Sequence, residues 1–347
     1  MDAYLVVGTP ISHSLSPKLH NAVYQRLDLP RELEAHDPKD EAGFEQLIQE
    51  LRAGKYSGFC VTIPYKLAAY QACDNLTEVA QRTGAVNYLR READGSLTGD
   101  NTDAGGFVRA VKQELGFDFV QSSVVVCGSG GASRAIVDAL IQEEAAHIAV
   151  ASRNPAHTAQ EWNIPDASLA QITKSISCEQ IVDSTPHHPE QADTISPLSF
   201  QTEDAPFLSS RAERSVVERS CVSEPRASCA ALQSVNVSAL CYEALERSNS
   251  HFDLLVNTTP LGMNDERMPV SKAWLHSAAP DVYDVVYRKE GTTPLVAAAR
   301  QAGIPAADGR SMLIEQAILG MRFWGIEEDS QALHSIIDAS LNELAGD

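Results

Sequence analysis

Two side chains could move a proton between them. Lys66 closes the stretch Cys60-Val61-Thr62-Ile63-Pro64-Tyr65-Lys66, and Asp103 closes Asn101-Thr102-Asp103. An ammonium and a carboxylate meeting in a cleft can pass a proton to or from a substrate hydroxyl, a step worth about 10²–10⁴-fold in rate. Taken singly, each is better explained as a solvated charge beside a turn. The residues around them decide how they are read.

The elements that must position this pair follow from pattern. Phe59, Val61 and Ile63 alternate as a strand does, and Pro64 stops further pairing, so the ammonium is expected at a strand's exit. Gly99-Asp100-Asn101-Thr102-Asp103-Ala104-Gly105-Gly106 has the composition of a loop that opens a helix. Upstream, Ala3–Val7 is an apolar run closed by Gly8-Thr9-Pro10, a buried first strand and its turn. Ser16-Pro17 then predicts a helix start, with Ser16 as hydroxyl cap and Leu19, Ala22, Val23 and Leu27 on the buried face. Capping accounts for Ser16 but not for Ser14, which an extended segment places on the same side. Two hydroxyls beside helix-end amides suit a small carboxylate. Residues 42–52 predict an amphipathic helix, Gly58–Ile63 a strand, and Leu67–Gln81 a helical stretch leading to Gly84-Ala85-Val86-Asn87. Asn87 reads either as the polar close of a strand or as an amide that fixes substrate hydroxyls.

The second half carries a different signal. The β-branched run Ser123–Cys127 enters Gly128-Ser129-Gly130-Gly131-Ala132-Ser133 and then a helix reaching about Glu144. Strand, Gly-rich turn and helix in that order let backbone approach a pyrophosphate. The next strand, His147–Ala151, ends in Ser152-Arg153-Asn154. A guanidinium there, where an acid would take a ribose 2′-hydroxyl, can pair with a 2′-phosphate and favours NADP over NAD. Strands over Phe252–Asn257 and Val282–Tyr287, a helix from about 309 through Trp324 and a last helix from about Ser330 to Leu344 complete the pattern.

Composition bounds the function. The 347 residues, 37.5 kDa, allow two domains, and 44% hydrophobic with 21% charged residues is a globular composition. A formal charge of −20 argues against nucleic-acid and anionic-membrane partners. The first residues lack a basic leader with a cleavage site, so a cytoplasmic protein is expected. Seven cysteines without a Cys-x-x-Cys pair, and ten histidines without ligand spacing, predict reduced thiols and no metal site.

Together these motifs are similar to those of the shikimate dehydrogenase family over nearly the whole chain. They are Ser14-Leu15-Ser16-Pro17, Val61-Thr62-Ile63-Pro64-Tyr65-Lys66, Gly84-Ala85-Val86-Asn87, Asn101-Thr102-Asp103, Gly128-x-Gly130-Gly131-Ala132, Asn257-x-Thr259-Pro260-x-Gly262-Met263, Asp284-Val285-Val286-Tyr287 and Met312-Leu313-x-x-Gln316. The resemblance implies NADPH-dependent reduction of 3-dehydroshikimate to shikimate, with Lys66 and Asp103 as the catalytic pair. It implies that Ser14 and Ser16 hold the substrate carboxylate, while Thr62, Asn87, Tyr287 and Gln316 contact its other polar groups. For the cofactor it implies Gly128, Ser129, Gly130, Gly131 and Ala132 at the pyrophosphate, Ser152, Arg153 and Asn154 at the 2′-phosphate, the neighbourhood of Met263 and Gly309 at the nicotinamide, and Val285 as a further cofactor-binding residue. The expected fold is α/β with two domains: an N-terminal α/β substrate domain (1–103 with 310–347) and a Rossmann-like NADP-binding domain (104–309), forming a monomer or homodimer.

The chain departs from the family's pattern at Cys60, where Asn is usual, at Ser152 and Asn154, and at His157, where a second basic residue is common. A Ser-, Pro- and charge-rich stretch over about 174–245 reads as an insertion in the cofactor domain. Two other readings share the motifs: a quinate/shikimate dehydrogenase using NAD, and a non-catalytic sensor of a pathway metabolite.

Overall fold

A computed structural model describes residues 2–12, 14–162, 164, 235–248, 250–288 and 291–345. Strands β1 (Asp2–Val7), β2 (Arg31–His36), β3 (Gly58–Val61), β4 (Asn75–Leu76), β5 (Tyr88–Arg91) and β6 (Leu97–Asp100) form one sheet in the order β2-β1-β3-β5-β6-β4. β1 pairs parallel with β2 and β3, whereas β5 runs antiparallel to β3 and β6. In β2, Arg-Glu-Leu-Glu-Ala-His, Leu33 is the one buried residue. The charged Arg31, Glu32 and Glu34 around it suit an edge strand, and they also hid this strand from a reading based on apolar runs.

The second sheet is wholly parallel. It comprises β7 (Ser123–Cys127), β8 (His147–Ala151), β9 (Asn236–Leu240), β10 (Leu254–Asn257), β11 (Asp281–Asp284) and β12 (Ala306–Asp308), in the order β12-β11-β10-β7-β8-β9. From the β9 edge this is third, second, first, fourth, fifth, sixth, the doubly wound order whose direction reverses between β7 and β10. Both faces are covered: Val124 and Val126 pack into one core, Val125 and Cys127 into the other. That is why β7 reads as an unbroken apolar run.

The helices are α1 (Ser16–Arg26), α2 (Glu41–Arg52), α3 (Lys66–Ala72), α4 (Glu78–Thr83), α5 (Asp103–Leu115), α6 (Gly131–Gln142), α7 (Pro155–Glu161), α8 (Tyr242–Arg247), α9 (Lys272–Ala278), α10 (Pro294–Gln301), α11 (Arg310–Phe323) and α12 (Ser330–Ala345). The last two return to the first sheet: Ile314, Ala317, Met321, Trp324, Leu333 and Ile337 share a core with Tyr4, Val6, Leu19 and Val23. The Trp324 indole N–H donates to the Leu89 carbonyl at 3.0 Å.

Three local expectations need correction. β3 ends at Val61, and Thr62–Tyr65 form a turn closed by the Tyr65 amide on the Thr62 carbonyl at 3.0 Å, so Lys66 opens a helix. The stretch 67–81 is broken into α3, β4 and α4. Asp74 causes the break: its carboxylate binds Arg52 and the Leu97 amide, and Thr77 then caps α4. Of the stretch read as an insertion, residues 235–245 carry β9 and the start of α8, both part of the second sheet's layer, and 174–234 lie outside the described residues.

Candidate active site

Lys66 is the first residue of α3 and Asp103 the first of α5. The Lys66 Nζ lies 2.5 Å from Asp103 Oδ2, with side chains 13% and 8% exposed. Such an environment strengthens an ion pair relative to one in open water. The other carboxylate oxygen, Oδ1, accepts from Asn87 Nδ2 at 2.9 Å. Asn87 cannot turn over, because its Oδ1 accepts the Thr102 backbone N–H at 2.8 Å. Its Nδ2 also reaches Thr102 Oγ1 at 3.0 Å and Gln316 Oε1 at 3.5 Å. Gln316 comes within reach because α11 crosses α5 at Gly106, where a Cβ would stand 2.8 Å from the Gln316 Cβ.

The backbone of Asp103 is braced as well. Its N–H donates to Asn101 Oδ1 at 3.1 Å, and Asn101 Nδ2 donates to the Ala85 carbonyl at 3.0 Å. Ser14 and Ser16 meet at the start of α1, where the Ser16 N–H donates to Ser14 Oγ at 3.3 Å. Ser16 is therefore the first helical residue and not the cap; Leu15 holds the cap position without a side-chain bond. Cys60 is buried near these groups, and the charges of Lys66 and Asp103 act on its thiol in opposite senses. Burial pushes that thiol up to about 12, so it stays protonated and unreactive.

The Gly-rich turn of the second sheet comes up to the same pair. Gly128 has φ +119°, and a Cβ there would sit 2.4 Å from Thr258 Oγ1, so only glycine fits. Thr258 Oγ1 donates to the Cys127 carbonyl at 2.7 Å and lies 2.6 Å from Ser133 Oγ, tying β7, β10 and α6 together at the point where strand order reverses. Gly130 caps α6 with no side chain bonded to the helix-end amides, and nothing lies within 4 Å of where its Cβ would be. A Cβ on Gly131 would be 3.7 Å from Lys66 Cδ, which sets the turn beside the ion pair.

Residues 6–89 match the family model described as the shikimate dehydrogenase substrate binding domain. The shikimate dehydrogenase (NADP(+)) of Citrifermentans bemidjiense is 33% identical over 325 residues, covering 92% of this chain and 88% of that one. The chain belongs to the shikimate dehydrogenase family. Solved structures agree in fold. Shikimate dehydrogenase 1 from Peptoclostridium difficile matches with TM-score 0.71 at 22% identity, over 99% of both chains. The Thermus thermophilus shikimate 5-dehydrogenase, solved in complex with NADP(H) and shikimate, matches with TM-score 0.67 at 24% identity, over 98% of this chain and 100% of that one.

In this member of the family Lys66, Asp103, Asn87 and Gln316 form one hydrogen-bonded cluster. Thr62 and Tyr287 are half-buried and make no side-chain hydrogen bond to it among the described residues; burial raises the Tyr287 hydroxyl above its usual range. Ser129 and Ala132 are half-buried in the Gly-rich turn. Ser152 turns inward to Thr158 at 2.9 Å, and Asn154 caps α7 by accepting the His157 N–H at 3.1 Å. Arg153, between them, is exposed. Gly309 abuts the Val285 backbone, where a Cβ would lie 2.0 Å from the carbonyl oxygen. Among the described residues, no group of three or more His, Cys, Asp or Glu could hold a metal ion, and no helix is long and apolar enough to cross a membrane.

Sequence reasoning assigned no role to Asn101 and Thr102, although both brace the pair. Their signal was the Asn-Thr-Asp run, since a side-chain carbonyl two residues before a helix's first amide is an Asx turn. It also passed over Asp284, buried and held by Asn257, Thr293 and the Val286 amide, whose carboxyl burial raises to about 6.

Proposed function

We propose that this protein reduces 3-dehydroshikimate to shikimate with NADPH, reversibly, in a cleft between a substrate domain (1–103 with 310–347) and a Rossmann-like domain (104–309). The observation that carries the reading is the Lys66–Asp103 pair at 2.5 Å, braced by Asn87 and set against Gly131. The cofactor fits the residues present. Gly128 adopts a glycine-only conformation, Gly130 leaves open space, the first-turn amides of α6 carry no side-chain cap, and Arg153 is exposed at the end of β8.

When bound, NADPH supplies the hydride to the substrate carbonyl carbon. Lys66 donates a proton to the oxygen on which negative charge grows, and Asp103 holds the ammonium in place throughout. An ammonium aimed at developing charge acts chiefly in the transition state. Ser14 and Ser16 take the carboxylate beside the α1 amides, and Thr62, Asn87, Tyr287 and Gln316 orient the ring. Arg153 pairs with the 2′-phosphate. The protein works in the cytoplasm as a monomer or homodimer.

The test is absorbance at 340 nm with purified protein, offering shikimate or quinate with NADP or NAD. Turnover confined to shikimate with NADP is expected. Preference for quinate or for NAD would overturn the substrate and cofactor assignments, and absence of turnover would overturn the reaction itself.

A further inference from the structure

Arg82 and Asp138 form a two-pronged ion pair that the site described above does not use. Arg82 Nε lies 2.9 Å from Asp138 Oδ1 and 3.3 Å from Oδ2, and Nη2 lies 3.3 Å from Oδ2. The side chains are 25% and 11% exposed. Burial raises the Asp138 carboxyl and the guanidinium opposes that rise. The pair joins α4, beside the first sheet, to α6, the helix that leads out of the Gly-rich turn.

Each partner is the far end of a short, braced path to the proton-transfer pair. From Arg82 the chain runs through Thr83 and the left-handed Gly84 to Ala85. Thr83 Oγ1 and the Ala85 carbonyl both receive Asn101 Nδ2, at 3.3 and 3.0 Å, and Asn101 Oδ1 receives the Asp103 N–H. Two residues past Ala85, Asn87 binds the Asp103 carboxylate. From Asp138, two turns of α6 lead back to Gly131, which lies against Lys66. The path is thus a ring: Asp138, α6, Gly131, Lys66, Asp103, Asn101, Ala85, Arg82. Within it the ion pair is a charge-assisted, two-pronged contact between the cofactor turn's helix and the helix that leads into the loop bracing Asp103.

We propose that Arg82 and Asp138 are positioning residues that fix the distance between bound cofactor and bound substrate. Neither is among the residues assigned above to substrate or cofactor, so loosening the pair changes the geometry of hydride transfer without removing an assigned binding contact. Misplacement by about 1 Å can cost about 10²-fold in rate. This rests on the reaction proposed above.

The experiment uses the full-length protein as wild type, Arg82→Gln, Asp138→Asn and the reversed pair Arg82→Glu/Asp138→Lys. It measures kcat, KM for shikimate and for NADP, the isotope effect on kcat with shikimate deuterated at the oxidised carbon, and the urea midpoint. Each single variant is expected to lower kcat by about 5–50-fold, with both KM values within about threefold of wild type and a larger isotope effect. The reversed pair should recover most of the lost kcat and return the isotope effect toward wild type. Wild-type turnover with unchanged kcat in both single variants would overturn the positioning role while leaving the reaction intact. A fall in kcat that tracks the urea midpoint, with no change in isotope effect and no recovery on reversal, would also overturn it, as a packing effect. No turnover of shikimate by the wild type would overturn the reaction and this role together.

Discussion

Asp103→Asn is the substitution the geometry predicts most sharply. The carboxylate has an N–H donor on each side: Asn87 Nδ2 at 2.9 Å on Oδ1 and Lys66 Nζ at 2.5 Å on Oδ2. An amide has one oxygen. Asn87 cannot rotate to offer its own oxygen, because the Thr102 amide holds that oxygen at 2.8 Å. Whichever way the introduced amide turned, one contact would become donor against donor. With its oxygen toward Asn87, it would repel the Lys66 ammonium; with its oxygen toward Lys66, it would press its NH2 on Asn87. Removing one partner of a buried ion pair costs about 3–5 kcal/mol in stability. At 8% and 13% exposure this pair falls near the lower end of that range. A displaced proton donor forfeits most of its about 10²–10⁴-fold contribution, so kcat should fall at least about 10²-fold. KM for shikimate should move by less than about fivefold, since the loss is in the transition state. Lys66→Ala should give the same split. Steady-state rates at 340 nm in both directions and a urea titration check it. A D103N protein with kcat within about threefold of wild type would remove the pair from the chemistry.

Further substitutions probe the other parts. Arg153→Ala should cut kcat/KM for NADP by about 10–100-fold, the loss of a charge-assisted hydrogen bond, and leave NAD kinetics alone; equal loss with both cofactors would refute its 2′-phosphate role. Gly130→Ala meets no atom within 4 Å, so its urea midpoint should match wild type, while NADP affinity by calorimetry drops about tenfold or more as the methyl fills the space kept for the pyrophosphate. Undiminished affinity would mean that the turn does not cradle it. Buried His20 bonds the Ser16 carbonyl at 2.8 Å and Tyr88 at 3.1 Å, and burial lowers its pKa from 6.5 to about 4. Between those values the unfolded chain binds a proton that the folded one refuses, so the contribution of His20 to stability rises with pH from 4 to 6.5. The increment is about 3 kcal/mol. Asp284, raised to about 6, acts in the opposite sense over much of that range, so the difference between wild type and His20→Asn is what isolates the imidazole. That difference in urea midpoint should grow in favour of wild type from pH 4 to 6.5; parallel curves would refute the assignment.

Much of this architecture was legible because its signals are local. β7, Gly128–Gly131 and α6 form one contiguous strand–turn–helix, and β8 ended where its sequence said it would, at Ala151. From residue pattern alone Lys66 and Asp103 were legible as two candidates, and only the family resemblance made them a pair, since what joins them is the antiparallel run of β5 beside β3 and β6, which delivers Asn87 and Asp100 to adjacent positions. Non-local register leaves no mark in a single window. β2 was missed for a related reason: an edge strand with one inward residue has almost no apolar period. The expected Ser16 cap failed because the helix begins one residue earlier than the hydroxyl-then-proline rule implied, and Ser14 took over the bond to its amide. Short runs such as 67–81 have helical composition throughout; only Asp74, bound to Arg52 from another helix, breaks them.

The closeness of Lys66 to Asp103 also bears on how an acidic protein of charge −20 handles an anionic substrate. A lone ammonium would attract the substrate's charge in the ground state and would spend its interaction on binding. Paired at 2.5 Å with a carboxylate, it is nearly neutral from a distance. Its field grows only toward an oxygen close enough to compete with Asp103. The carbonyl oxygen of the substrate is a poor competitor, whereas the alkoxide formed from it is a strong one. Ground-state recognition of the carboxylate then falls, on the proposed reading, to uncharged donors, the Ser14 and Ser16 hydroxyls at the start of α1. On the proposed reading, this division separates binding from rate: hydroxyls set KM, and the ion pair acts where charge develops, which is the differential stabilisation that raises kcat.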